Sequence, residues 1–205
     1  MSEGILIVVS GFSGSGKGTI TKKLVDEYED YIISVSATTR APREGEVEGR
    51  EYFFKTREEF EKLIADDALV EYAQYVNNYY GTPKAFVEEN LKKGKNVILE
   101  IEVQGAIQIK HMYPDAVTIF MSGPSIAEIK KRLIARGTET LEQIESRLRR
   151  AKEEVKLMGV YDHLIINYDR DECTKELNDI IVSSKNKLAY NKAFIEKITK
   201  ELEEY

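Results

Sequence analysis

The residues best suited to chemistry come early. Gly11-Phe12-Ser13-Gly14-Ser15-Gly16-Lys17-Gly18-Thr19 follows the β-branched apolar run Ile5-Leu6-Ile7-Val8-Val9, which predicts a buried parallel strand. It precedes Ile20, Leu24, Val25 and Tyr28, spaced as one face of a helix. Strand, glycine-rich turn and helix in that order is the setting of a phosphate-binding loop. Glycines let the backbone curl around an anion with its N–H groups inward. The helix N-terminus adds partial positive charge, and Lys17 supplies a point charge for β- and γ-phosphates. The hydroxyl that usually follows the lysine and meets Mg²⁺ is displaced: Gly18 stands there, and Thr19 follows. Thr19 is therefore the loop's candidate metal ligand.

Three further groupings can carry chemistry. Glu100, Glu102 and Gln104 close the apolar run Asn96–Ile101. Ligands of open α/β sheets sit at the carboxyl ends of strands, where a carboxylate can hold Mg²⁺ through water. Arg40 and Arg43 flank Pro42; with the phenols of Tyr52 and Tyr80 their forked guanidiniums can cage a phosphate monoester. Glu71 lies in an otherwise apolar and aromatic strand. A carboxylate accepts from two adjacent N–H donors, as on the N1–H and N2–H₂ edge of guanine, and adenine offers no such pair. Ser36 and Thr82 can add hydroxyls. The last grouping is Arg132, Arg136 and Arg147, with Arg149 and Arg150, a basic cluster able to neutralise a phosphoryl group in transfer. The strand-end glutamates and the lid arginines can also be read as solvated charges, and any single residue of the inserted stretch as a surface arginine or a packed tyrosine.

Positioning them requires an α/β core. Tyr31–Ser36 predicts a second strand, Asn96–Ile101 and Ala116–Met121 two more buried strands, and Leu164–Ile166 the last; Gly105–His111 is a crossover helix. Between residues 34 and 96 the texture changes. A polar Pro- and Gly-containing loop leads to a short strand at Tyr52–Phe54, a helix over Arg57–Asp67 and a strand over Leu69–Val76. Asn77-Asn78 then turns into Tyr79–Thr82, and Pro83 opens a helix ending near Gly94. This predicts a mixed α+β subdomain inserted into the core. Ser125–Arg136 and Leu141–Met158 predict two Arg- and Lys-rich, weakly apolar helices facing solvent as a lid, with Gly137 stopping the first and Thr138 or Thr140 capping the second. The stretch from Asp171 is mostly helix, its end (Lys192–Tyr205) charged and partly exposed. The expected organisation is one domain: core 1–33, 97–124 and 160–205, insert 34–96, lid 125–159.

The totals narrow the class. The 205 residues are 42% hydrophobic, enough for one domain with a core. A net charge of −6 argues against a general nucleic-acid binder. The single Cys173 allows no internal disulfide and suits a reducing compartment. With the first strand starting at once and no apolar run near roughly 20 residues, the expectation is a cytoplasmic protein, monomer or homodimer, without membrane partners.

The chain resembles guanylate kinase along nearly its whole length. The carrying segments are G-F-S-G-S-G-K-G-T, S-V-S-A-T-T-R-A-P-R-E-G-E, E-Y-F-F, E-Y-A-Q-Y, N-Y-Y-G-T, E-I-E-V-Q-G-A, R-L-I-A-R-G-T-E-T and I-I-N. The resemblance implies ATP-dependent phosphorylation of GMP, and of dGMP, to the diphosphate with Mg²⁺, on a P-loop NTPase core. It implies that the loop from Gly11 to Thr19 holds ATP phosphates and that Asn167 lies near adenine. Arg40, Arg43, Tyr52 and Tyr80 would hold the GMP phosphate; Ser36, Glu71, Thr82 and Glu102 would read guanine. Glu100 would hold metal-bound water, and Arg132, Arg136 and Arg147 would act with Lys17 on the transferring phosphate. The chain departs from the family pattern at Gly18, at Glu100 and Glu102, where Asp is common, at Tyr168, and in the tail after about Lys185. A scaffolding relative without catalysis would lack the loop lysine and lid arginines present here, and a small GTPase would carry Asn-Lys-x-Asp and Asp-x-x-Gly motifs absent here. The runner-up is a kinase for another nucleoside monophosphate.

Overall fold

The structure, a computed structural model, describes residues 3–75, 77–137 and 139–205. In chain order the elements are β1 (Leu6–Gly11), α1 (Lys17–Glu27), β2 (Tyr31–Ile33), β3 (Ser36–Thr38), β4 (Tyr52–Phe54), α2 (Arg57–Ala65), β5 (Leu69–Tyr75), β6 (Asn78–Pro83) and α3 (Lys84–Lys92). Then come β7 (Asn96–Glu100), α4 (Val103–Met112), β8 (Val117–Ser122), α5 (Ile126–Arg136), α6 (Leu141–Glu154), a 3₁₀ stretch (Val155–Val160), β9 (His163–Ile166), α7 (Arg170–Ser184), a 3₁₀ turn (Leu188–Tyr190) and α8 (Lys192–Glu203).

Among the described residues, five strands form a parallel sheet in the order β2-β7-β1-β8-β9. Strand side chains alternate between faces, and β1 shows the consequence. Ile7 and Val9, with Ile5 just before the strand, join Ile20 and Leu24 of α1 and Leu177 and Ile181 of α7. Leu6 and Val8 pack with Val87 of α3 and Ala106 and Ile109 of α4. Helices therefore cover both faces of the sheet, and each fully buried aliphatic side chain contributes about 1.5–3 kcal/mol. The carboxyl ends of β1, β7 and β9 open one edge, which carries the glycine-rich loop, Glu100 and Asn167.

The expected strand over Tyr31–Ser36 is divided. Ser34 still donates its N–H to Ile98 O at 2.9 Å, but the chain then leaves the parallel sheet, and Ser36 begins β3 of a second, mixed sheet ordered β4-β3-β6-β5. Phe60 of α2, whose Thr56–Glu59 capping box starts that helix, packs with Ala37 and Leu69 beneath this sheet. Helix α2 stops at Ala65, before the left-handed Asp67 (φ 49°). Strand β5 is an edge strand, and Gln108 of α4 takes the place of a neighbour there: its side-chain N–H₂ donates to Tyr72 O (2.9 Å) and its carbonyl accepts from Tyr72 N–H (3.2 Å). Val76 and Thr138 lie outside the described residues; Thr140 caps α6, with Gln143 closing a capping box.

One further expectation changes. Helices α5 and α6 are not apolar-poor on every side: Ile129, Leu133, Ile144 and Ala151 are buried with Phe12, Val103 and Phe120. Only their outer faces are charged. Strand β9 is the last strand of the parallel sheet, as expected, and lies at its edge; Ile165 points inward, while Leu164 and Ile166 remain exposed, as the two-residue period requires. No helix is long and apolar enough to cross a membrane among the described residues.

Candidate active site

The loop after β1 is braced from behind. Gly16 caps α1 in the left-handed region (φ 91°), and a Cβ there would stand 2.3 Å from Asn167 Nδ2. Only glycine satisfies both conditions. Asn167, buried at the end of β9, donates from Nδ2 to Ser15 O at 2.7 Å, so its carboxamide holds the loop in shape. First-turn N–H groups of a helix have no intrahelical acceptor, and Lys17 and Gly18, which carry them here, line a cavity of about 740 Å³ with the rest of the loop.

The cavity is strongly basic within an acidic chain. Lys17, Arg132, Arg136, Arg147 and Arg150 line it against only Glu102 and Glu154; such a concave, single-sign surface concentrates anions. Arg132 is steadied by Glu128 (3.2 Å) and by Asn167 O (3.1 Å). Arg147 donates to Ser13 Oγ at 2.8 Å and meets Glu139 at 2.7 Å. Arg136, last residue of α5, has no ion-pair partner among the described residues.

Glu100, ending β7, accepts from the buried hydroxyl of Thr21, and its Oε2 lies 3.5 Å from where a Cβ on Gly18 would be. The carboxylate thus sits over the first turn of α1. Thr19 is exposed on the cavity wall. Among the described residues no cluster of three His, Cys, Asp or Glu could hold a metal ion unaided. The donor set fits a hard divalent ion that keeps its waters and binds chiefly to substrate phosphates.

The second group of predicted residues lies on the mixed sheet. Arg40 Nη2 pairs with Glu46 Oε1 at 2.8 Å, and its guanidinium lies 5.3 Å from the Tyr52 ring centroid. The Tyr52 and Tyr80 rings meet edge-on at 6.0 Å, and burial raises the Tyr52 phenol above its ordinary value. Arg43 is brought near by its backbone only: its N–H donates to Glu46 Oε2 at 2.7 Å, while the side chain is exposed. The Arg40 guanidinium and then the Arg43 N–H hold Glu46 below the usual carboxylate range.

Glu71 on β5 is 5% exposed. Its Oε1 accepts from Thr82 Oγ1 at 2.7 Å, and its Oε2 would stand 2.6 Å from a Cβ on Gly105, in the first turn of α4. Burial pushes the Glu71 carboxyl up to about 7, against the lowering effect of Thr82's hydroxyl and N–H. Ser36 begins β3, half-buried. Glu102, the N-cap of α4, lies one helical turn from Gly105 and also lines the basic cavity.

Sequence reasoning missed Thr21, Glu46, Gly105 and the pairing of Arg150 with Glu102 and Glu154. Thr21 stands one helical turn after Lys17, a spacing that announces a shared helix face. The spacing of Arg150 and Glu154 likewise announces a helical pair, but nothing local announces Gly105, Glu46 or the contact of Arg150 with Glu102.

A family model described as guanylate kinase matches residues 3–184. The chain is 51% identical over 181 residues to a guanylate kinase of Oceanobacillus iheyensis, covering 88% of each. It is 50% identical over 203 residues to one of Clostridioides difficile, covering 98% of this chain and 99% of that one; this match runs past the family model into the charged tail. The crystal structure of guanylate kinase from Anaplasma phagocytophilum superposes with a TM-score of 0.76 at 32% identity, over 93% of this chain and 90% of that chain.

Proposed function

The chain belongs to the guanylate kinase family, and from that premise we propose how its residues divide the work of moving a phosphoryl group from ATP to GMP. The reaction yields ADP and GDP. An oxygen of the GMP phosphate forms a new bond to the γ-phosphorus, and the bond from that phosphorus to the β–γ bridging oxygen breaks. Such transfers need alignment and charge neutralisation rather than a protein nucleophile.

On the donor side, the amides from Gly11 to Thr19 and the Lys17 ammonium hold the ATP phosphates, and Asn167 acts through the loop it braces. Arg132, Arg136 and Arg147 neutralise the group in flight. On the acceptor side, Arg40, Arg43, Tyr52 and Tyr80 hold the GMP phosphate, while Ser36, Glu71, Thr82 and Glu102 read guanine. Glu100, held by Thr21, would hold a divalent ion, Mg²⁺ in this proposal, through water, with the Thr19 hydroxyl on the cavity wall as a second candidate; the ion would supply charge neutralisation to the ATP phosphates. None of these residues is assigned to the ribose 2′ position, so dGMP is an acceptor too. Residues 34–96 form the acceptor-binding insert and 125–159 a lid whose closure excludes water. ATP and GMP as substrates, with a single thiol, suit the cytoplasm.

The observation that carries this assignment is Glu71. It is a buried carboxylate presented by Thr82, one turn of α4 away from a residue of the basic cavity. A coupled assay with Mg²⁺ and ATP, offering GMP, dGMP, AMP and UMP, tests it. Turnover of the two guanine nucleotides alone is expected; comparable turnover of AMP would remove Glu71 from base recognition.

A further inference from the structure

Helix α6 sends two arginines to opposite sides of the site. Arg147 and Arg150 are three residues apart and share one helix face. Arg147 Nη1 donates to Ser13 Oγ in the phosphate loop at 2.8 Å. Arg150 turns the other way: its Nη2 meets Glu102 Oε2 at 2.8 Å and its Nε meets Glu154 Oε1 at 3.1 Å. The two carboxylates are unequal. The Glu154 side chain is 12% exposed, the Glu102 side chain 57%. Burial, then the nearby charge of Glu102, raises Glu154 above the ordinary glutamate range, while Arg150 and Lys17 oppose the rise.

This arrangement does not suit Arg150 to a phosphoryl group. Two carboxylates already pair with it. It does suit Arg150 to hold Glu102. An exposed glutamate loses rotamer freedom when a ligand fixes it. A planar guanidinium anchored on the half-buried Glu154 imposes that restriction before the ligand arrives. It occupies one oxygen of Glu102 and leaves the other for a donor on the ligand.

We propose that Arg150 is a positioning residue for the acceptor base: anchored on Glu154, it fixes the Glu102 carboxylate for the guanine amino group. Because it rides on the helix whose Arg147 touches the donor loop, recognition of the base depends on where that helix sits. The inference rests on the assignment of Glu102 to guanine proposed above.

Steady-state kinetics of the full-length wild type, R150A, R150K, E102Q and R150A/E102Q, with GMP and ATP each varied, test it. R150A is expected to raise the KM for GMP about tenfold, the scale of one charge-assisted hydrogen bond. Its kcat and KM for ATP should stay within about twofold, and R150K should recover most of the loss. The double variant should be no worse than the poorer single variant, since both remove one interaction. A wild-type KM for GMP in R150A beside an impaired E102Q would overturn the inference alone. So would a fall in kcat with the GMP KM unchanged, which puts Arg150 on the transferring phosphate, or an equal loss from R150A in the E102Q background. A wild-type KM in E102Q would instead remove the assignment on which the inference stands. Melting curves of R150A and R150K separate a lost contact from a lost fold, because R150K keeps a charge beside the half-buried Glu154.

Discussion

The proposed donor and acceptor sides of the site are built by different means. The donor side is backbone: a glycine-rich turn between β1 and α1, set on the parallel sheet and propped at Ser15 by Asn167. Its strand is buried on both faces, so the loop has little freedom to relax. The acceptor side is made of side chains on a small sheet with short strands, steadied by ion pairs such as Arg40–Glu46 and by Gln108 capping the β5 edge. A backbone cradle recognises phosphate whatever nucleoside carries it. Choosing a base requires donors and acceptors at set positions, which only side chains supply. The cheap, unspecific task is thus given to the rigid part and discrimination to the adjustable part.

The contrast predicts a gradient of effects. Lys17→Met should be the most damaging change, lowering kcat by about 10³ or more with both KM values less affected, because it removes charge needed most in the transition state. Arg136→Ala should follow, at roughly 10²-fold. Neither should move the melting midpoint by more than a degree or two, since both residues line a cavity rather than the core. Stopped-flow or coupled kinetics beside thermal melts check this. A donor-side variant that changed only GMP affinity would break the division between the two sides.

On the acceptor side, Glu71→Gln should raise the KM for GMP by roughly 10- to 100-fold, since an acceptor oxygen becomes an NH₂ facing guanine donors, and leave ATP alone. Its pH behaviour sharpens the test. With a free-enzyme value of about 7, Glu71 is protonated at mildly acid pH, so kcat/KM for GMP should rise with pH and level off above about 7. The transition should be absent in Glu71→Gln, whereas titration of the GMP phosphate itself affects both proteins. Stability runs the opposite way. Below pH 4.5 the carboxyl is protonated folded or unfolded; between 4.5 and about 7 only the unfolded chain ionises. Folding stability contributed by the neutral carboxyl is therefore lost as pH rises through that window, on the order of 3 kcal/mol. Glu71→Gln should melt higher than the wild type at pH 8 and not at pH 4.5.

The same contrast explains what could be read from the sequence. The donor loop is contiguous, and strand, glycines, lysine and helix announce each other within residues 5–28, so its fold was legible from spacing alone, and the phosphate ligand proposed for it follows from the same spacing. The acceptor residues are scattered from Ser36 to Glu102, and no periodicity joins them; side-chain chemistry suggested the groupings, and the family resemblance gave each residue its role. The break between β2 and β3 was hidden because Tyr31–Ser36 is an unbroken β-prone run that passes from one sheet to another. The buried face of α5 and α6 was hidden because Ile129, Leu133 and Ile144 are diluted by arginines and glutamates that serve the site and the solvent. Gly105 and the Arg150–Glu102 contact matter through partners distant in sequence, and Glu46 through partners across a loop, which spacing does not reveal.

Gly105→Ala tests a subtler acceptor-side device. A Cβ would fall 2.6 Å from Glu71 Oε2, so the carboxylate must move aside, while alanine favours the helix by about 1 kcal/mol. A threefold to tenfold rise in the KM for GMP with an unchanged or higher melting midpoint is expected from kinetics and differential scanning calorimetry. A loss of stability would mean that the first turn of α4, rather than the Glu71 side chain, gives way.

The smallest effect addresses the element that both sides share. Thr140 accepts from Gln143 N–H at 3.2 Å, and Gln143 returns a bond to Thr140 N–H at 2.8 Å, starting α6 in the open. Removing the hydroxyl should cost about 1 kcal/mol in urea unfolding. Its kinetic consequence follows from what α6 touches. Arg147 and Arg150, two and three turns in, reach the donor loop and the acceptor carboxylate from one helix face, and Ile144 and Ala151 pin that face to the core. Fraying of the first turn ahead of Ile144 should leave both arginines in place, with kcat and both KM values within about twofold. A loss confined to GMP in Thr140→Ala would mean that α6 moves as two parts, and that the donor and acceptor sides are less rigidly joined than a single helix requires.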